Sequence, residues 1–372
     1  MTETIDALVV GGGLVGVAAA VAVARSGRRT VHLAPKAPPD RRTSALMNPS
    51  VAYIRDAGLI GDPAAFGHPL TEIRIIDATD RLVRAPETLF RANEAGLETS
   101  GWNFPNTTLL KSFAAARDTL PNLRTIEAPV AKLDRGWVAA LPDGTTIEAP
   151  LVVGADGKGS TVRTAAQIQT REHRFAESAL VADLGLGRPI GSTSIEFHYP
   201  RGPFTLVPAG GSRANLVWID DADVLQQAKA SADLPALLRG KSQRLFGTIE
   251  VLTPAAVFQL STLSVTTAGR DGVVLVGEAA HAFPPIGAQG LNLGLRDVAD
   301  LAASLDAGDV SADYARRRDG DLARTGTMVD TLFRSLLSDM LPAQALRAGG
   351  LWALKLSPVL RREAFALGMG SR

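Results

Sequence analysis

Residues 5–16, IDALVVGGGLVG, constrain this chain more than any other stretch. IDALVV is a short apolar run with β-branched residues, the composition of a buried strand. Gly11, Gly13 and Gly16 then give GxGxxG, and an alanine-rich helical pattern continues to Ser26. Gly27 suits the left-handed position that ends a helix, and RTVHL (29–33) reads as the next strand. Strand, glycine turn, helix, strand is the setting a dinucleotide-binding fingerprint requires. Gly11 permits the tight turn, Gly13 lets main chain approach a pyrophosphate, and Gly16 seats the helix against the strand. Leu14 and Val15 open that helix, whose free N–H groups and dipole favour phosphate. A plain glycine turn in an α/β core fits the same residues. The acid expected at the end of the second strand, for ribose hydroxyls, falls at Ala34 and is absent. Nothing in this motif chooses between a nicotinamide and a flavin.

Residues 7–24 are also an uncharged stretch of membrane-span length. The acidic leader TETID and the interrupting glycines argue instead for a cytoplasmic chain. With no cysteine, disulfide scaffolds, thiolate metal sites and dithiol redox chemistry are excluded. The five histidines never fall at ligand spacing, so no metal is expected; a net charge of +1 gives no footing for nucleic acid.

Two further corners follow. LVVGADGKGSTVR (151–163) runs an apolar strand into Gly154, Asp156 and Gly157, with Ser160 placed to cap a helix over 161–166. Alone, it is a generic strand-to-helix turn. GEAAHAFPPIGAQGLNLGLRD (277–297) is less ordinary: VVLVG (273–277) ends a strand, and Pro284 and Pro285 stop it. Gly287, Ala288 and Gly290 keep the backbone bare, and Leu291, Leu295, Val298, Leu301 and Ala302 recur at helical spacing. A helix opening there aims its N-terminal amides over the bend, a favourable seat for the anionic edge of a redox ring.

GxGxxG, GADGxxSxVR and VxLxGxAAHxxPPxGxQGxNxGxxD, in that order, resemble the FAD-dependent aromatic hydroxylases of the para-hydroxybenzoate hydroxylase fold. DRRTSAL (40–46), GPFTLVP (202–208), NLVWI (215–219) and YARRRDGD (314–321) are similar to the ubiquinone-biosynthesis branch. The resemblance implies an α/β fold: a doubly wound, Rossmann-like FAD domain assembled from 1–70, 96–165 and 262–310. A mostly antiparallel substrate domain would come from 71–95 and 166–261, and C-terminal helices from 311–372. It implies that Gly11, Gly13 and Gly16 hold pyrophosphate, that Arg42 reaches the adenosine side, and that Asp156 and Gly157 lie by the cofactor. Glu278, where the family ordinarily has aspartate, would take a ribitol hydroxyl. Pro285, Gly287, Ala288, Gln289, Gly290, Leu291 and Asn292 would border the flavin. His281 is either a structural imidazole beside that loop or a flavin-facing one.

The implied reaction is hydroxylation of a prenylated phenol by dioxygen through a flavin hydroperoxide, with NAD(P)H or a protein as electron donor. Because this chemistry belongs mainly to the cofactor, no acid–base pair is nominated. Phe197, Phe204, Trp218 and Phe283 are candidate pocket walls, or else ordinary core. SIEFHYP (194–200), FTLVPA (204–209) and ANLVWID (214–220) read as strands, and 223–240 as one helix covering them. LRAGGLWALKLSPVLRR (346–362) either rests on the inner membrane or a biosynthetic partner, or packs as plain helices. Rival readings are a hydroxylase of a soluble aromatic acid, which would want a cationic anchor, and a flavin-binding scaffold without catalysis. GWNFPN (101–106) lacks the second tryptophan of a flavin halogenase.

Overall fold

The computed structural model describes residues 2–79, 84–285 and 289–337, with 350, 352–353, 356–357 and 359–363 of the C-terminal stretch. Among them the strands form four sheets. The sheet that positions the glycine corners runs Gly269–Arg270, Val273–Leu275, Leu151–Gly154, Ala7–Val10, Thr30–Leu33, Leu123–Ile126 in spatial order. All its pairings are parallel except that of the first strand. Its central strands are buried along their whole length, as strands covered on both faces must be. The chain lays Thr30–Leu33 on one side of Ala7–Val10 and later returns to lay Leu151–Gly154 on the other. The strand order therefore reverses there, and ligands of open α/β sheets bind at such a reversal.

The apolar stretch 7–24 is thus a strand followed by the twelve-residue helix Leu14–Arg25, which ends at Ser26 with Gly27 at φ +89°. No helix among the described residues is long and apolar enough to cross a membrane.

A second, nine-stranded sheet is mostly antiparallel and includes Thr170–Leu186, Thr193–Tyr199, Gly202–Pro208 and Arg213–Asp221. Strand Ala256–Val265 runs across residue 262, and His281–Ala282 adds to this sheet's edge. The single helix expected over 223–240 is two, Ala222–Ala230 and Leu234–Lys241. Ser231 is extended, its Oγ accepts from the Asp233 N–H at 3.1 Å, and Pro235 occupies the first turn of the second helix, where its missing donor costs nothing. A small sheet of Thr43–Met47, Gly101–Pro105 and His68–Leu70 lies between the two large ones, as the contacts below show.

Candidate functional site

The three glycine corners leave neighbouring strand ends of one sheet and touch. A Cβ on Gly11 (φ +126°) would fall 2.1 Å from the Ala155 carbonyl oxygen and 2.9 Å from the Asp156 nitrogen. A Cβ on Gly16 would meet the Gly11 oxygen at 2.0 Å. The third corner closes on the first helix: a Cβ on Gly294 would lie 2.7 Å from Val15, and one on Gly277 3.2 Å. Gly13, Gly157 and Gly290 differ, since a Cβ on any of them meets nothing within 4 Å. Gly11 and Gly16 thus permit backbone to meet backbone, Gly277 and Gly294 admit the Val15 side chain, and the other three border open space.

Phosphate fits this cradle. The helix Leu14–Arg25 has no side-chain cap at Gly13 and no acid in its first turn, so its leading amides face outward without a competing carboxylate. His32, wholly buried on the adjacent strand, donates Nε2–H to the Gly11 carbonyl at 2.9 Å and props the turn from behind. Burial pushes its pKa down to about 4 despite that bond, so the ring is neutral.

Glu278 is exposed although Gly277 and Ala279 on either side are buried. It lies near Arg42, whose pKa is raised first by a forked bond to Asp40 (2.8 and 2.9 Å) and, more weakly, by the Glu278 charge. Gln289 begins the helix Gln289–Ser304, earlier than Leu291; Gly290 and Pro285 are exposed and Leu291 is half-buried. Gly287 and Ala288 lie outside the described residues.

Several of these side chains are bonded within the protein. Asp156 caps the helix Thr161–Ala165: Oδ1 accepts from Ser160 Oγ at 2.5 Å, and Oδ2 from the Thr161 and Val162 N–H groups at 2.7 and 3.2 Å. Asn292 clamps the seat helix to strand Thr43–Met47, accepting from the Met47 N–H and donating to the Ala45 carbonyl, both at 2.9 Å. His281 is tied into the protein, its Nε2 meeting Asp297 Oδ2 at 2.6 Å with both side chains buried. Asp297 also accepts the Gly277 N–H at 2.8 Å and pairs with buried Arg318 at 2.8 Å. The strand expected over 273–277 ends at Leu275, because Gly277 (φ +59°) turns the chain into a 3-10 turn.

The pocket-wall expectation fails for three aromatics. Phe197, Phe204 and Trp218 are at most 1% exposed and pack edge-on or tilted against one another and Phe246, under Leu225 and Leu238 of the two covering helices. Strand side chains alternate, so it is their neighbours that face the flavin side. Val181 and Asp183, Thr205 and Val207, and Asn215 and Val217 are all half-buried, against buried residues between them. Asn103 identifies that face: its Nδ2 donates to Asn215 Oδ1 at 2.7 Å and to the Pro208 carbonyl at 3.0 Å. Asn215 Nδ2 in turn donates to Asp183 Oδ1 at 2.6 Å. Asn103 pairs with Ala45, the residue held by Asn292, so this polar row adjoins the seat helix. Phe283 is half-buried and stacks on His281, 6.0 Å between centroids.

Sequence reasoning passed over Arg163, the last residue of the second motif. Buried, it donates to the Lys158 carbonyl at 2.5 Å and the Ala279 carbonyl at 2.8 Å, stapling the second corner to the third. Its place in GADGKGSTVR was the available signal.

Residues 130–308 match the family model described as FAD binding domain. The chain is 30% identical to ubiquinone hydroxylase UbiL of Rhodospirillum rubrum, over 98% of this chain and 90% of that one. It is 27% identical to 3-demethoxyubiquinol 3-hydroxylase of Escherichia coli, over 97% of each. Its fold is that of p-nitrophenol 4-monooxygenase PnpA from Pseudomonas putida, with a TM-score of 0.83 at 20% identity over 100% of this chain and 99% of that one. Glycine corners, reversed strand order and relatives together make the chain a member of the FAD-dependent aromatic hydroxylases, on their ubiquinone-biosynthesis branch.

Proposed function

We propose that this protein hydroxylates the ring of a neutral prenylated phenol, taking one oxygen atom from dioxygen. Bound FAD supplies the electron transfer and oxygen activation, with NAD(P)H or a protein as the source of electrons. In this reading Gly11, Gly13 and Gly16 with the amides of Leu14 and Val15 hold the pyrophosphate. Glu278 takes a ribitol hydroxyl, and Arg42 the adenosine side. Pro285 and the segment 287–292 form the seat of the ring. The protein's own work is to position, to exclude water and to orient. Residues 1–70, 96–165 and 262–310 act as the flavin half, 71–95 and 166–261 as the substrate half, and 311–372 as a helical appendage.

The observation that carries the choice of substrate is the sheet face over the seat. On the strands Thr170–Leu186, Gly202–Pro208 and Arg213–Asp221 its half-buried side chains include three valines, a threonine, an asparagine and Asp183. Glu196, bonded to His198, continues the face opposite Thr205, and no lysine or arginine joins them, the first in that alternation, Arg213, standing exposed at a hairpin turn. A carboxylated substrate would leave an unpaired charge beside Asp183, which is expensive away from water. The names of the ubiquinone-pathway relatives point the same way. Aerobic turnover of prenylphenols beside soluble hydroxybenzoates, read by mass spectrometry, tests this. A one-oxygen gain on the prenylphenol alone is expected. Turnover of the hydroxybenzoate alone selects the soluble-acid reading, and a yellow protein that turns over neither selects a scaffold.

A prenylated substrate resides in membrane, and the C-terminal stretch offers a matching surface. Trp352, Leu356, Val359 and Leu360 are exposed at helical spacing, while Arg361 turns inward to Glu94 at 2.6 Å. We place a peripheral membrane contact on that face. Deleting 346–372 is expected to abolish sedimentation with anionic liposomes while leaving FAD binding intact; unchanged sedimentation would remove the idea.

A further inference from the structure

The strand Thr30–Leu33 is followed by Ala34, with no carboxylate where a dinucleotide fold usually meets the ribose hydroxyls. Ala34 nevertheless borders the glycine turn: a Cβ on Gly12 would lie 3.3 Å from Ala34 and 3.5 Å from the Pro35 carbonyl oxygen. The neighbouring strand Leu123–Ile126 runs parallel with Leu33 opposite Ile126, and the Ala34 N–H donates to the Ile126 carbonyl at 2.9 Å. The residue after Ile126 is Glu127. The Ala128 N–H also donates to the Ile126 carbonyl at 2.9 Å, so the chain bends at Glu127 instead of prolonging the strand. Glu127 is left exposed, next in the chain to the Ile126 carbonyl that the Ala34 N–H binds.

Its carboxylate is held by Lys36 at 2.9 Å, with side-chain exposures of 83% for Lys36 and 61% for Glu127. Lys36 follows the Ala34–Pro35 segment that lies on Gly12, so this pair stands at the mouth of the phosphate turn. An ion pair so exposed is weak and gives way readily to a better partner.

We propose that Glu127 binds the adenosine ribose hydroxyls of the dinucleotide, taking over from the adjacent strand the role that Ala34 leaves vacant. Lys36 holds the carboxylate at the mouth until nucleotide arrives. The alanine fits this assignment, because a second acid at that neighbouring strand end would repel the first. The inference rests on the FAD reading above and concerns only its adenosine end.

Titrating apoprotein with FAD, ADP and FMN tests it without turnover. Glu127→Gln is expected to raise the Kd for FAD and for ADP about tenfold and to leave that for FMN unchanged, since FMN carries no adenosine. Ala34→Glu placed in that variant should restore FAD affinity, whereas Ala34→Glu alone should not improve on the parent. Thermal unfolding of the apo forms should match, both sites being at the surface. Unchanged FAD affinity in Glu127→Gln overturns the proposal, as does an equal loss for FAD and FMN. A parent chain that binds no FAD overturns the cofactor reading itself, and Glu127 with it.

Discussion

The glycines of one motif do different physical work, and substitution separates them. Gly16→Ala drives a Cβ into the Gly11 carbonyl at 2.0 Å, backbone against backbone, so it should lower stability by about 1–3 kcal/mol and lose FAD. Gly13→Ala meets no protein atom and keeps an ordinary φ of −75°, so the fold should survive while FAD affinity falls, its methyl standing where phosphate would lie. Urea unfolding beside flavin titration distinguishes the two; equal stability losses would contradict the assignment. His32 predicts a pH dependence. Its folded pKa of about 4 lies below the free value of 6.5, so between them the unfolded chain binds the extra proton. The stabilisation, on the order of 3 kcal/mol, is complete above pH 6.5 and lost as pH falls toward 4. His32→Gln should flatten the stability profile between pH 6.5 and 5 relative to the parent, measured by urea unfolding across that range. Parallel profiles would show that another group sets the slope.

Among the elements, the seat helix Gln289–Ser304 is held from two sides. Asn292 ties its first turn to strand Thr43–Met47, and Asp297 ties its middle to Gly277, His281 and Arg318. Arg318 also pairs with Asp300 at 2.9 Å and Asp321 at 2.7 Å, and Tyr314 donates to the Leu275 carbonyl at 2.8 Å. YARRRDGD is thereby explained as the segment that locks the helix Val310–Leu337 onto the seat helix and the end of strand Val273–Leu275. Burial opposes the Arg318 charge, but Asp297, Tyr314 and Asp321 outweigh it and raise its pKa. Arg318→Met would remove the guanidinium that buried Asp297, Asp300 and Asp321 share, and about 3–5 kcal/mol of destabilisation is expected by urea unfolding. FAD should partly rescue it, since the ligand binds only the folded chain.

At the scale of the molecule, the two large sheets meet through the row Asn292, Ala45, Asn103, Asn215, Asp183. Pro208 O at one end and the Asp183 carboxylate at the other both require donors, which orients the two amides between them. The row thereby sets how the substrate sheet stands over the flavin seat. Asn103→Leu strips donors from two acceptors, costing about 1–3 kcal/mol. FAD affinity should hold within twofold while the substrate KM rises several-fold and oxygen consumption outruns product. A KM equal to that of the parent would show that the row is only structural packing.

The amino-acid sequence by itself determined the corners, the strands that lead into them and the helices that leave, because a missing Cβ, a fixed proline φ or an apolar period is a property of the local chain. Gly11, Gly16, Gly27 and the cap Ser160 were legible for that reason. Only the tertiary structure decided which face of the substrate sheet looks toward the seat, since a period of two marks both faces of a strand equally. It alone turned Phe197, Phe204 and Trp218 inward, drew Asn292 into clamping, and set the end of strand Leu123–Ile126 beside Ala34. Those outcomes depend on partners distant along the chain, whose approach no local pattern encodes.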